Sequence, residues 1–505
     1  MYIKTIIMEK ILAEDIEKIA VQLKSRFENY HNNLHLWYER NSKNYINYDP
    51  KNVKFPEEWN NDNKYNPYYV LKRKKQIAKS ISKNILAGKY FPCEPYIKQI
   101  PKPNGGTRDI SIYQIQDSAV SYRIYKNLLT KNKHRFSSLT YAYRNDRNIH
   151  FAIQDIAHEL LTVPRIFVAE FDFSDFFGSI NHDYLFEQLK VNGYLISEIE
   201  LKVIKAFLQN REIGIPLGTS ISLFLANVVC WKLDRQLEDE GIRFARYADD
   251  TIIWSKNYSK ISKAFDIISN FAKEAKININ YKKSDGISLL KRDEMPSEFY
   301  NSKEYIEFLG YKISTEKVSI KNKSVEKIKK HISYLLYKNL IHPLKQSNVS
   351  NINLPLLGRD KNFLTALMEV RRYLYGNLTE ITLKKYMNGT YKVLTFKGIM
   401  SFYPLINDVE QLKELDEWLL STVLNVLNLR KKLLLESFPD TFDEYQIPFR
   451  MNKNELIHYC KNTVIRGKKG LLEIPSFLRI HNALKLGLIN EGIVRVMNPR
   501  SGYYR

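Results

Sequence analysis

Two adjacent carboxylates, Asp249 and Asp250, sit between two short runs of alternating β-branched and aromatic character, Ile242 to Tyr247 and Thr251 to Trp254. Period-two runs of this kind read as strands, so the acidic pair falls at the tip of a hairpin. That placement is restrictive. Neighbouring like charges repel, and a turn carries them either as plain turn chemistry or because a hard divalent cation turns the repulsion into binding. What else the chain places near such a turn decides between the two.

A chain of 505 residues exceeds one ordinary core, and two to four units are expected. Its 78 Lys and Arg against 55 Asp and Glu leave a formal charge of +23, which suits a polyanionic partner. A/T-rich codon usage competes as a source of the Lys, Asn, Ile and Tyr excess. The 34 Tyr and 25 Phe add stacking surface, and charge and aromatics together favour nucleic acid. Cys93, Cys230 and Cys460 are too scattered for a zinc or disulfide framework and read as reduced structural thiols. With no long apolar run and no signal-peptide pattern, a cytoplasmic protein without membrane contact is expected.

Along the chain, Ile11 to Tyr30 reads as a helix and Tyr68 to Leu86 as a basic amphipathic one. Tyr96 to Ile112 holds two extended runs around Pro103-Asn104-Gly105-Gly106, a hairpin on which Lys102 and Arg108 could grip a triphosphate. Helices follow over Gln116 to Lys131 and Ile149 to Leu161. A buried strand from Ile166 then ends at Asp172, with Phe176-Phe177 just beyond. Helices over Tyr184 to Lys190 and Glu198 to Gln209 precede Gly214-Ile215-Pro216-Leu217-Gly218, a glycine turn that opens into one helix running through Val228 to Leu237. After Trp254 come a helix over Tyr258 to Ala275, a strand from Ile277 to Ser284 with Lys283 at its end, and a hairpin strand, Tyr305 to Ile313.

Taken singly, each piece has an ordinary structural explanation. Their order is more specific: Asp172 with Phe177, Gly-Ile-Pro-Leu-Gly with Ala226-Asn227, Tyr-Ala-Asp-Asp, Lys283 and Phe308-Leu309-Gly310, at intervals of 42, 35, 34 and 25 residues. The set resembles the palm of reverse transcriptases, in particular bacterial retron, group II intron and defence-associated (abortive-infection) enzymes, over about residues 65 to 320. The resemblance implies an α+β fold, with right-hand polymerase fingers and palm followed by an all-helical C-terminal domain. It places an N-terminal helical appendage at 1–60, fingers at 61–165, palm at 166–322 and a thumb-like or repeat-like helical region at 323–505.

It further implies an RNA-directed DNA polymerase with two Mg2+ ions, Mn2+ being the alternative, held by Asp172, Asp249, Asp250 and the Phe173 carbonyl. Lys102, Arg108, Phe177, Pro216, Leu217, Gly218 and Lys283 would line the nucleotide site, Phe177 as the gate against a ribose 2′-hydroxyl. Phe308, Leu309 and Gly310 would form the primer grip. Leu217 departs from the glutamine that most relatives carry there, and an aliphatic side chain cannot make that amide's hydrogen bonds. The implied partners are an RNA template, a DNA product, deoxynucleoside triphosphates, a dedicated non-coding RNA and a second copy of the chain.

From Ser324 onward the pattern is helical, with helices over Ser324 to Leu340, Phe363 to Tyr375, Glu380 to Tyr391, Glu410 to Glu436 and Leu478 to Leu488, and without a Cys/His nuclease motif. That favours antiphage defence, with priming by a protein hydroxyl, RNA or DNA open, over a retron or intron enzyme copying its own RNA. A catalytically silent nucleic-acid scaffold is the alternative of another class. The basic tail from Arg495 to Arg505 reads either as an RNA contact or as a frayed end.

Overall fold

The strand-like and helical patterns interleave through the first three hundred residues and give way to helices after them, and the molecule divides accordingly. The computed structural model describes residues 2–42, 48–102, 105–284, 286–346, 354–355, 359–391, 393–440, 449–465 and 467–496. Two compact units are present: Met1–Leu36 with Pro50–Ile156 and Val163–Glu304, and Trp37–Asp49 with Ala157–Thr162 and Tyr305–Arg505.

The first elements are helix α1 (Tyr2–Ser42), longer at both ends than its apolar pattern suggests, and helix α2 (Pro67–Leu86). The latter starts where the Asn66 side chain accepts from the Tyr68 amide, with Pro67 at its first position. Strands β1 (Tyr96–Pro101) and β2 (Thr107–Ile112) pair antiparallel, Ile100 opposite Arg108. Pro103 and Asn104 of the expected hairpin tip lie outside the described residues. Helices α3 (Ile115–Asn132) and α4 (Ile149–Leu160) lead to strands β3 (Arg165–Phe171) and β4 (Phe173–Ser174), then to the single turn α5 (Phe176–Ser179).

Helices α6 (His182–Val191) and α7 (Glu198–Leu208) follow, the latter opened by a Ser197–Glu200 capping box. The single helix expected after Gly218 is two, α8 (Ser220–Val229) and α9 (Trp231–Asp239), broken at Cys230 where φ is -85° and ψ 0°. Neither glycine nor proline marks the break, so a continuous apolar pattern gives no warning of it.

Strands β5 (Arg243–Tyr247) and β6 (Asp250–Ser255) form the acidic hairpin, and α10 (Tyr258–Ala275) packs against β3 and β6. Strand β7 (Asn278–Ile279) is only two residues long, which leaves Lys283 in a turn rather than at a strand end. The pairing is antiparallel, so past Ile279 the residue opposite is Asp172, between β3 and β4, and the ladder stops there. Strands β8 (Ile287–Lys291) and β9 (Ser302–Lys303) complete a five-stranded sheet of order β5-β6-β3-β8-β9. The core beneath it gathers Phe171, Phe173, Phe176, Phe224, Phe244, Ile253, Ile268 and Phe271, all under a tenth exposed. A sheet with one face covered by helices presents its strand ends as the rigid place for chemistry.

From Tyr305 the second unit carries the antiparallel strands β10 (Ile306–Phe308), β11 (Tyr311–Ile313) and β12 (Val318–Ile320). Helices α11 (Asn322–Leu340), α12 (Lys361–Tyr375), α13 (Glu380–Met387), α14 (Val409–Ser437) and α15 (Lys453–Asn462) come next, then a small ladder of β13 (Val464–Ile465) and β14 (Lys468–Lys469), and α16 (Phe477–Glu491). Beyond residue 322 the regular structure among the described residues is therefore helical apart from that ladder. Arg430 and Asp360, both fully buried, join at 2.7 Å and tie α14 to the start of α12. Of the basic tail, residues 497–505 lie outside the described residues. Among the described residues no helix is long and apolar enough to cross a membrane.

Candidate active site

Strand register brings the carboxylates together. The β3–β6 ladder ends with Phe171 opposite Thr251, and Asp172 and Asp250 are the next residues beyond that end. Asp249 shares the β5–β6 turn with Ala248, which takes φ +62° while Tyr247 pairs with Asp250. A left-handed alanine is an uncommon conformation that its surroundings must hold.

Arg246 does so. Its guanidinium is fully buried and forks onto Asp234, Nε to Oδ1 at 2.7 Å and Nη2 to Oδ2 at 2.6 Å. A third donor, Nη1, reaches the Ala248 carbonyl at 2.9 Å and the Asn227 side-chain oxygen at 3.4 Å. Burial opposes a charge there, but Asp234 outweighs it and holds the Arg246 pKa above the ordinary arginine range. A buried arginine whose donors are all engaged fixes the turn from beneath.

Asp172 is 5% exposed. Asn280 donates to its Oδ2 at 2.7 Å, and Lys283 Nζ lies 2.8 Å from the same oxygen. The Asn280 amide also donates to the Asp172 carbonyl at 2.8 Å. The Lys283 bond to Asp172 holds the lysine pKa above its usual value, against partial burial, with Asp250 and Asp249 adding to it.

Burial raises the Asp249 pKa, and Asp172 raises it further. Asp250 is pushed well above the usual carboxylate range, first by burial and then by Asp249 and Asp172. Asp172 thus makes ionisation of Asp249 harder, and both make ionisation of Asp250 harder. Even so, among the described residues no group of three His, Cys, Asp or Glu side chains has the geometry of a formed metal cage. What the geometry shows is Asp172 held by Lys283 and Asn280.

Around this centre, the α5 turn carries Phe177, half-buried, its ring edge-on to Tyr143 at 6.2 Å and 88°. Tyr143 has φ +60°, and its hydroxyl pKa is raised by burial and then by Asp249, which brings the ring into the field of the site. The glycine loop packs onto the same turn. The Gly214 and Ile215 amides donate to the Ile180 and Phe177 carbonyls at 2.8 and 2.7 Å, and a Cβ on Gly214 would meet the Gly178 oxygen at 2.6 Å. Pro216 is buried and accepts from the Ser222 hydroxyl at 2.7 Å.

Leu217 is half-buried, and its carbonyl accepts from the Ser111 amide at 2.7 Å; Gly218, at φ +118°, approaches the Ser111 oxygen too closely for a side chain. The loop thus joins the Phe177 turn to β2, the strand that bears Arg108. Arg108 is exposed, and its charge favours ionised Asp249. Lys102 is exposed at the end of the β1–β2 hairpin, and Phe173 lies in the β4–β7 ladder.

Phe308 is buried, and Leu309 and Gly310 form the β10–β11 turn with φ +50° and +86°; all three belong to the second unit. Asn280, Tyr143 and Arg246 take no role in the sequence reading. A hydrophilic Asn in an alternating run and an Arg within a strand both pass for surface residues, and nothing local marks Tyr143.

Residues 100–313 match the family model described as reverse transcriptase (RNA-dependent DNA polymerase). Protein YkfC of Escherichia coli K12 is 25% identical over 166 residues, 31% of this chain and 44% of YkfC. Retron Ec86 reverse transcriptase of Escherichia coli is 31% identical over 124 residues, 23% of this chain and 37% of the retron protein. A putative COX1/OXI3 intron 1 protein of Saccharomyces cerevisiae is 25% identical over 168 residues, 32% of this chain and 20% of that protein. The chain therefore spans less than half the length of each of these relatives. Apo telomerase from Candida tropicalis aligns over 93% of this chain and 70% of its own at 13% identity and a TM-score of 0.38. Residues 100–313, from the β1–β2 hairpin through Asp172 and the Asp249–Asp250 turn to β11, are a reverse transcriptase domain, with a retron enzyme and an intron protein among its relatives.

Proposed function

We propose that the protein is an RNA-directed DNA polymerase that extends a strand with deoxynucleotides at Asp172, Asp249 and Asp250. The observation that supports this is the grouping of three carboxyls beside the ends of β3 and β6, where Asp172 raises the cost of ionising Asp249, and both raise that of Asp250. Their hard oxygens and their shortage of positive charge suit Mg2+, with Mn2+ as the alternative, and Asp172, Asp249 and Asp250 with the Phe173 carbonyl would hold it. When bound, such ions supply charge stabilisation for in-line phosphoryl transfer.

The chain's own residues supply positioning. Arg108 and Lys102 would meet the triphosphate, Phe177 would exclude a 2′-hydroxyl, and Lys283, an ammonium already inside the carboxyl group's field, would protonate the departing phosphate. Pro216, Leu217 and Gly218 would form the floor under the nucleotide, and Phe308, Leu309 and Gly310 would steady the primer. Fingers at 61–165, palm at 166–322 and a thumb-like region at 323–505 are the corresponding division.

We place the enzyme in cytoplasmic antiphage defence, because the helical second unit follows the polymerase domain where the sequence has no nuclease motif. A second reading, a retron-type enzyme copying a dedicated non-coding RNA, is favoured by the 31% identity to a retron reverse transcriptase. Purified protein and its Asp249→Ala/Asp250→Ala variant, given Mg2+, a primed RNA and labelled deoxynucleotides, test the activity; synthesis retained by the variant would sink it. Sequencing of co-purified nucleic acid separates the two settings. A discrete DNA joined to one structured RNA indicates the retron type, and long DNA of no fixed template indicates defence.

A further inference from the structure

Four aromatic rings near the start of the first unit belong to no part of the polymerase site. Phe27 lies on α1, Phe55 and Trp59 in the segment before α2, and Tyr68 in the first turn of α2. The Phe27 ring centroid is 4.9 Å from Trp59, 5.3 Å from Phe55 at an interplanar angle of 28°, and 6.5 Å from Tyr68, edge-on at 84°. Such a cluster ordinarily sinks into a core, yet Phe55 is 61% exposed and Tyr68 36%.

A cavity of about 530 Å³ opens between the rings, walled by Phe27, Phe55 and Tyr68 and by the polar side chains of Glu28, His31 and Asn32. Flat apolar faces beside donors and acceptors are what an unpaired base requires: a surface to stack on and an edge to bond. The charge around the cavity agrees. Lys24 Nζ stands 5.5 Å from the Tyr68 ring and 3.6 Å from Glu28, offsetting the carboxylate. Lys51 and Lys54 are exposed on the segment leading to Phe55, and Lys72 and Lys75, also exposed, follow Tyr68 at i+4 and i+7 on one face of α2.

We propose that this pocket takes one base of a single-stranded nucleic acid whose phosphates run along the Lys72–Lys75 face of α2. The elements involved, α1, the 50–66 segment and α2, carry none of the three carboxyls. A protein segment would use the rings but gain little from the lysines, which interface cores avoid. A duplex would offer the lysines phosphates, but no unpaired base for the rings.

The test uses the full chain in EDTA without nucleotides, so its outcome does not depend on polymerase activity. Binding of fluorescein-labelled single-stranded RNA, single-stranded DNA and a matched duplex is measured for the parent, Phe55→Ala and Lys72→Ala/Lys75→Ala, across a salt series. Phe55→Ala should weaken single-strand binding about tenfold while leaving the duplex unchanged. The double lysine variant should lower the salt slope by about 1.4, two phosphates at about 0.7 each.

In the parent, one abasic position along the strand should reproduce the loss, and the same abasic strand should bind Phe55→Ala no worse than the intact one does. A larger loss on RNA than on DNA assigns the site to RNA, and the reverse to DNA. Single-strand affinity unchanged in Phe55→Ala overturns the proposal. So does a Phe55→Ala shift in the sedimentation of nucleic-acid-free protein, which would mean that a second copy of the chain covers the rings.

Discussion

The Arg246 guanidinium donates to the carbonyl of Ala248 at 2.9 Å from a fully buried position, and Ala248 is the left-handed residue next to Asp249. One side chain on β5 thereby links the Asp234 carboxylate on α9 to the turn that carries Asp249 and Asp250. Lysine has the charge but not the planar fork, so it cannot serve Asp234 and Ala248 together.

Arg246→Lys is accordingly expected to fold, with polymerase turnover reduced at least tenfold and a higher half-saturating Mg2+ concentration. Arg246→Ala is expected to cost about 3–5 kcal/mol, because it leaves Asp234 charged and unpaired in the core. Arg246→Ala/Asp234→Ala should cost less than the sum of the single changes, a coupling read by chemical denaturation. Additive losses would show that the fork is not a unit.

Phe177→Ala should admit ribonucleotides. The ring is edge-on to Tyr143, so Tyr143→Ala, which frees that ring to move, should relax sugar discrimination in the same direction but by less. The ratio of kcat/KM for deoxynucleotide over ribonucleotide is the readout. A ratio unmoved in Phe177→Ala removes the gate; one unmoved only in Tyr143→Ala removes the buttress.

Gly214→Ala should impair activity beyond its effect on stability. The position holds φ +83°, and a Cβ would press on the Gly178 oxygen at 2.6 Å, in the turn that presents Phe177. A strain of about 1–3 kcal/mol is expected from thermal or chemical unfolding. If incorporation falls only in proportion to the folded fraction, the contact does not set the geometry of the turn.

The acidic centre is legible because it depends on strand ends. Alternation around Asp249 and an apolar run ending at Asp172 fix where those carboxyls stand once β3 and β6 pair, and register does the rest. The supports are hidden for a different reason: Arg246 meets Asp234, Thr140 and Asn227 from three other segments, and no local pattern encodes such a meeting. The break at Cys230 and the early end of β7 are likewise tertiary, the second set where its antiparallel partner leaves β4 at Asp172. Helix α15 leaves no mark in the sequence because its ten residues bury only Leu456 and Cys460, too few for an amphipathic signature.

Asp117 offers a test of electrostatics away from the polymerase site. Its carboxyl, 1% exposed, accepts from the Tyr90 hydroxyl at 2.7 Å and the Cys93 amide at 3.1 Å. Burial nonetheless dominates and raises its pKa from 3.8 to about 6. Between those values the folded state binds more protons than the unfolded state, so the contribution of this group to stability is complete below pH 3.8 and is lost as pH rises through about 6. Each tenfold difference in proton affinity between the two states is worth about 1.4 kcal/mol, which makes the loss roughly 3 kcal/mol. Asp117→Asn does not titrate. Denaturant titrations from about pH 4 to pH 7 should show the variant gaining on the parent as pH rises, with the difference levelling off above the folded pKa. Parallel curves would mean that the hydrogen bonds from Tyr90 and Cys93, not burial, set the charge state of Asp117.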